Sequence, residues 1–176
     1  MSKIIASIIL IFFSNVALSK GTNVFGIGIY DIKLDGSDKN QATDFRYEFR
    51  SDETLIDIGP KEDNFFFLKP FIGLEFTNDS ASYFLTGVYI EDNIGELFEG
   101  KDNKFFFTPS FGAGIYDDGS GKKLGNDLQF RTSLEVSYEL KNKNRIGISL
   151  SHISNANLGD KNPGAEIISI SYQVPY

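Results

Sequence analysis

Hydrophobic and polar side chains alternate with a period of two along much of this chain. The clearest stretch covers 127–140. Leu128, Phe130, Thr132, Leu134, Val136, Tyr138 and Leu140 form one row, and Asp127, Gln129, Arg131, Ser133, Glu135, Ser137 and Glu139 form the other. Successive side chains of an extended strand point to opposite faces, so the stretch predicts a strand with an apolar face backed by a charged one. It is long for a strand of a soluble protein, where about 5–6 residues is usual. Phe45, Tyr47 and Phe49 alternate in the same way with Arg46, Glu48 and Arg50. The repeating signature predicts strands at 22–33, 43–58, 65–77, 82–92, 104–116, 124–140, 144–155 and 165–176. The breaks between them carry Asp35-Gly36-Ser37, Gly59-Pro60-Lys61, Asn78-Asp79-Ser80, Asp117-Asp118-Gly119-Ser120-Gly121 and Asn142-Lys143-Asn144. Such residues favour special backbone angles or bond to their own backbone, which is turn chemistry.

Eight strands is an even number, as an all-β, antiparallel up-and-down transmembrane β-barrel requires. Closure satisfies backbone donors and acceptors that lipid would otherwise strand. The expected interior row holds Arg46, Glu48, Arg50, Glu75, Arg131, Glu135, Glu139 and Arg145. Side chains fill a lumen of this size, so opposite charges can pair across it and a pore is not expected. A secreted lipid-binding barrel with its apolar face inward fits the same alternation. The charged rows favour the membrane barrel, because Arg131, Glu135 and Glu139 on one strand suit a small polar lumen. Ile170, Tyr172, Val174 and Tyr176 share a face, which resembles the terminal strand signal of outer-membrane proteins. With the N-terminus in the periplasm, odd strands run outward and 141–143 is a short periplasmic turn. The links near 35–41, 117–123 and 156–164 then lie outside. The 93–103 link would be long and periplasmic, against the usual pattern of short periplasmic turns.

Composition and charge narrow the function classes. The first residues read as a secretory signal peptide: Lys3 is the basic start, 4–13 the apolar run, and Ala17-Leu18-Ser19 the small-residue cleavage site. The run is too short for a spanning helix, which needs about 20 residues. The expected organisation is therefore a signal at 1–19 and a barrel domain at 20–176. The net charge of -7 argues against a nucleic-acid partner, since nothing would neutralise a row of phosphates. No Cys and a single His exclude disulfide frameworks, thiolate zinc sites, cysteine nucleophiles and polyhistidine metal centres.

That single histidine sits in the most informative segment. Ile146, Ile148, Leu150, His152 and Ser154 have one parity, so His152 and Ser154 face lipid at the outer end of the seventh strand. An ionisable group facing hydrocarbon is costly and tends to mark function. Residues i and i+2 on a strand lie about 7 Å apart, so their side chains can converge. Glu166 shares outward parity with Ile168, Ile170 and Tyr172 on the neighbouring strand. A hydroxyl, an imidazole and a carboxylate on one patch are the ingredients of a nucleophile, a base and an orienting acid. The alternative is an interfacial histidine at a strand end beside a solvated glutamate.

His152-x-Ser154-Asn155-Ala156, followed by Asn162-Pro163-Gly164-x-Glu166, resembles the signature of the lipid A 3-O-deacylase (PagL-type) family of outer-membrane barrels. The resemblance implies an ester hydrolase of the bacterial outer membrane that removes the 3-position acyl chain of lipid A in lipopolysaccharide. It implies Ser154 as nucleophile, His152 as base and Glu166 as its partner. It further implies Asn162 and the backbone amide of Asn157 as oxyanion donors, with no cofactor or metal. Asn157 stands where the family often has glycine. Lys122, Lys123 and Lys161 read as solvated loop lysines, with contact to lipid A phosphates as the alternative. The competing function is a non-catalytic outer-membrane barrel with a structural or adhesive role.

Overall fold

The computed structural model describes residues 20–32, 40–57, 67–95 and 104–176. The expected signal segment and the turn residues at 35–37 and 59–61 lie outside the described residues, as does most of the 93–103 link. Eight long strands form the fold: β1 (Gly21–Tyr30), β2 (Ala42–Ser51), β3 (Phe67–Thr77), β4 (Ser82–Tyr89), β5 (Phe105–Asp117), β6 (Leu128–Glu139), β7 (Arg145–Ser154) and β8 (Ala165–Pro175). Each pairs antiparallel with its sequence neighbours, and β1 pairs with β8, running from Thr22 opposite Pro175 to Tyr30 opposite Ile167. That last ladder closes the cylinder and leaves no open edge. Two-residue ladders extend it at the end near the termini. Ile56–Asp57 pairs with the start of β3, and Asp92–Asn93 with the start of β5.

The strands follow the alternation, with two differences. The predicted 43–58 strand is two pieces, because the chain leaves β2 at Ser51 and pairs again with the start of β3 only at residues 56–57. The predicted 124–140 strand begins at Leu128; Leu124 is buried in the preceding loop. The 140–144 link is a tight turn, closed by Lys143 N–H donating to the Leu140 carbonyl at 3.0 Å.

The pleat sorts the side chains by face. Phe25, Ile27, Phe45, Tyr47, Leu134, Val136, Ile148, Leu150 and Ile170 are exposed on the outer wall. A wall this apolar on a closed barrel is solvated by lipid. Inside, Arg131 bridges Glu48 and Glu75. Glu135 accepts from Arg46 at 3.0 Å, Arg50 at 2.6 Å, Gln173 at 2.8 Å and Ser171 at 3.1 Å. All these groups are buried, so each charge has its countercharge inside the wall. Two members of the expected interior row stand elsewhere. Glu139 and Arg145 lie at the rim near the termini, where solvent is within reach. Glu139 pairs with Lys143, while Arg145 pairs with Glu91 and lies 3.5 Å over the Phe106 ring. Toward the opposite end the filling changes to Tyr30, Tyr83, Tyr116, Leu124, Ile153 and Ile167. Alternation marks a residue as inward, and not how far along the axis it lies.

The network makes a stability prediction. Arg131→Met leaves Glu48 and Glu75 without their shared countercharge, and the folded barrel is expected to lose about 3–5 kcal/mol. Urea unfolding in detergent micelles measures this; a wild-type midpoint would mean that the network can be broken at no cost.

Candidate active site

β7 and β8 carry the candidate residues at the barrel end opposite the chain termini. Their register puts Glu166 directly across from His152. The His152 Nδ1 and a Glu166 carboxylate oxygen are 3.1 Å apart. A carboxylate only accepts, so the hydrogen of this contact sits on Nδ1, and in the neutral ring Nε2 is then the nitrogen with the lone pair. Both side chains are about half exposed, 51% and 50%, on the outer wall. They stand directly above Leu150 and Ile168 in their own strands, at the upper border of the apolar belt. Ser154 ends β7 two residues beyond His152, on the same side, and pairs across β6 with Phe130. Glu166 is also tied by its backbone, since its carbonyl accepts from Ile32 N–H at 3.0 Å beyond the end of β1.

The loop after Ser154 supplies the amides. Residues 155–158 form a tight turn in which Leu158 N–H donates to the Asn155 carbonyl at 3.0 Å. Ala156 and Asn157 at its centre both have positive φ, 52° and 62°. Asparagine tolerates that left-handed conformation better than other side-chain-bearing residues, so Asn157 fills the turn where glycine would be expected. Ala156 has no such excuse, and its φ stores about 1–2 kcal/mol of strain. Among the described residues the Asn157 N–H donates to no backbone carbonyl. Asn162 returns from the far side of the loop, and its Oδ1 accepts from Asn155 N–H at 3.0 Å. With the carbonyl end of its amide engaged, the NH2 end is the one left to donate elsewhere.

The chain matches the model of the family described as lipid A 3-O-deacylase (PagL) over residues 28–175. The chain belongs to this family. A relative named lipid A deacylase PagL, from Bordetella bronchiseptica, is 32% identical over 71 residues. That match covers 39% of this chain and spans 40% of the relative's length. A crystal structure titled as the outer membrane enzyme PagL superposes with a TM-score of 0.65 at 15% identity, covering 88% of this chain and 99% of that one. A designed transmembrane β-barrel superposes at 0.54 with 9% identity, covering 89% and 96%. At such identities these two likenesses speak to the fold. With the lipid-facing wall, the family places the barrel in the bacterial outer membrane.

Within this family's motif, Asn155 is the residue that the sequence reading left without a role. It is fully buried, and its Nδ2 donates to the Leu124 carbonyl at 2.8 Å and the Lys161 carbonyl at 2.6 Å. Asn155 therefore pins the 118–127 loop to the 155–164 loop and, through its own N–H, fixes Asn162. The two loops touch backbone to backbone, since a Cβ on Gly125 would collide with the Lys161 carbonyl and one on Gly159 with the Gly125 carbonyl. The only sequence signal was its place between Ser154 and Ala156. Lys122 is a correction to the reading of loop lysines as solvated. It is 7% exposed and pairs with buried Asp31 at 2.5 Å, while its carbonyl accepts from the Tyr116 hydroxyl at 2.9 Å. The pairing spends its charge inside the barrel mouth, so it faces neither solvent nor lipid phosphates. Lys123 and Lys161 are exposed, as expected.

Asn155→Ala strands the buried Leu124 carbonyl, a loss of about 1–3 kcal/mol for an unsatisfied group, and frees the part-buried Lys161 carbonyl. The barrel is expected to persist while the 118–127 and 155–164 loops become sensitive to limited proteolysis. Wild-type resistance would show that the pin is dispensable.

Proposed function

We propose that this chain hydrolyses the ester-linked acyl chain at the 3-position of lipid A, with Ser154, His152 and Glu166 as its working groups. The carrying observation is the pairing of His152 with Glu166 on the lipid-facing wall, in a chain of the lipid A 3-O-deacylase family. A polar cluster at the belt's upper border sits where an acyl ester joins tail to sugar. Membrane depth alone brings the scissile bond to it.

In this reading Ser154 Oγ attacks the ester carbonyl while His152 Nε2 takes the hydroxyl proton. Glu166 holds the hydrogen on Nδ1 and stabilises the imidazolium that forms. The tetrahedral oxyanion receives hydrogen bonds from Asn162 Nδ2 and the Asn157 amide. His152 returns the proton to the sugar oxygen as the C–O bond breaks, leaving an acyl-serine. Water then adds to that ester with His152 again taking a proton, and the fatty acid leaves as Ser154 regains its hydrogen. The contact of Nδ1 with the Glu166 carboxylate supports this order of roles, since it leaves Nε2 as the nitrogen that can turn to the hydroxyl.

Lipid A extracted from cells with and without the protein is expected to differ by one hydroxyacyl chain in mass spectrometry. Ser154→Ala and His152→Ala should abolish that loss while the barrel still inserts. Asn162→Ala should lower kcat by about 10²–10³-fold, the size of one oxyanion donor. An unchanged lipid A profile with the wild-type chain would leave a non-catalytic barrel, and turnover by Ser154→Ala would remove the nucleophile assignment.

A further inference from the structure

Gly164 leaves no room for a side chain beside the His152 imidazole. It precedes β8 with φ of 59°. A Cβ there would stand 2.8 Å from His152 Cε1, 3.6 Å from Nε2 and 3.4 Å from the Ile153 carbonyl oxygen. The first distance is inside carbon–carbon contact, so the ring and a side chain at 164 cannot both keep their places. Glycine meets two demands at once, the left-handed backbone and the missing methyl.

From this contact we propose that Gly164 is a positioning residue that sets the orientation of the His152 ring. The inference rests on the Ser154, His152 and Glu166 reading above. The ring has one hydrogen bond, from Nδ1 to Glu166. One bond leaves a planar ring free to swing about it, and half of this ring is open to the lipid interface. The space left by the absent Cβ of Gly164 is the space the Cε1 edge needs to keep its seat beside Glu166. A methyl at 164 pushes the ring off this seat and lengthens the Glu166 bond. The imidazole then reverts toward the tautomer favoured in water, with hydrogen on Nε2, where it cannot accept a proton from a hydroxyl.

His152 is the only histidine in the sequence, so an untagged chain labelled with 15N-histidine reports on this ring alone. In detergent micelles the wild-type barrel is expected to show the Nδ1–H tautomer. Gly164→Ala should move the 15N shifts toward Nε2–H and lower kcat on a lipid A substrate on the order of 10²-fold with KM unchanged, the scale of a small misplacement. Gly164→Asn separates the two demands, since asparagine accepts the left-handed backbone yet carries the same Cβ. It should be as impaired as the alanine variant. Restored activity in Gly164→Asn would overturn the proposal by making backbone angle the whole requirement. Activity lost with an unchanged histidine spectrum would overturn it too, as would a Gly164→Ala chain that no longer folds to the heat-modifiable form. Turnover by Ser154→Ala would instead defeat the underlying catalytic reading, and the ring spectrum, which needs no turnover, keeps the two failures apart.

Discussion

The β1–β8 ladder is the constraint on which everything else rests. Without it, two strands would present unpaired N–H and C=O groups to hydrocarbon, at several kcal/mol for each group. With it, the wall has two faces and no edge, and the strand pleat assigns every residue to one of them. Arg46, Glu48, Arg131 and Glu135 can then sit at membrane depth, because their side chains point into a filled interior where each finds a partner. The same rule turns His152 and Glu166 outward. A reactive group on the lipid side of a membrane barrel needs no channel, gate or cavity for its substrate, since the substrate is a component of the solvent.

Burying charge in the lumen has an energetic consequence that distinguishes structure from stability. Desolvating several ions costs as much as their mutual attraction returns, so a network of this kind contributes little net stability while being expensive to break. Its effect here is on register. A one-residue slip of any strand would exchange its inward and outward rows. For β6 that would put Arg131 and Glu135 into lipid, leave Glu75 without its countercharge and leave Arg46 and Arg50 to share Glu48. The alignment of β7 and β8 that sets Glu166 opposite His152 is one step in the same continuous register, so the interior ions help to fix a site they never touch.

How much of this was legible in the sequence follows from what alternation encodes. Parity alone located the outward row of Ile148, Leu150 and His152 and the inward row of Arg131 and Glu135. It also placed His152 and Glu166 on adjacent strands, because the link between them is short. Axial position was not legible, which is why Glu139 and Arg145 were expected in the lumen and stand at its rim. Loop packing was equally hidden. Lys122 reads as a surface lysine between Gly121 and Lys123. Its burial depends on Asp31, from the end of a strand 91 residues away in sequence. Asn155 has no periodic signature either, since its partners are carbonyls of Leu124 and Lys161, which any sequence supplies.

The site joins two kinds of structure, and each suits its task. In the proposed mechanism the proton-handling pair stands on paired strands, where the backbone ladder holds the Cα atoms of residues 152 and 166 in fixed register. The oxyanion donors of that mechanism come from a loop, where backbone amides are not spent on a ladder. A loop brings freedom that such donors cannot tolerate, because an amide that must reorient during reaction stabilises little. The 155–164 segment loses that freedom through contacts that point away from the site. Asn155 is sealed against Leu124 and Lys161, Gly159 against Gly125, and the 118–127 loop is in turn held by Lys122 on Asp31 and by Ser120 N–H on the Asp79 carbonyl at 3.1 Å. Rigidity therefore passes from the barrel mouth into the loop, and the hydrolytic centre proposed on the outer wall obtains the preorganisation that enclosed sites take from their surroundings.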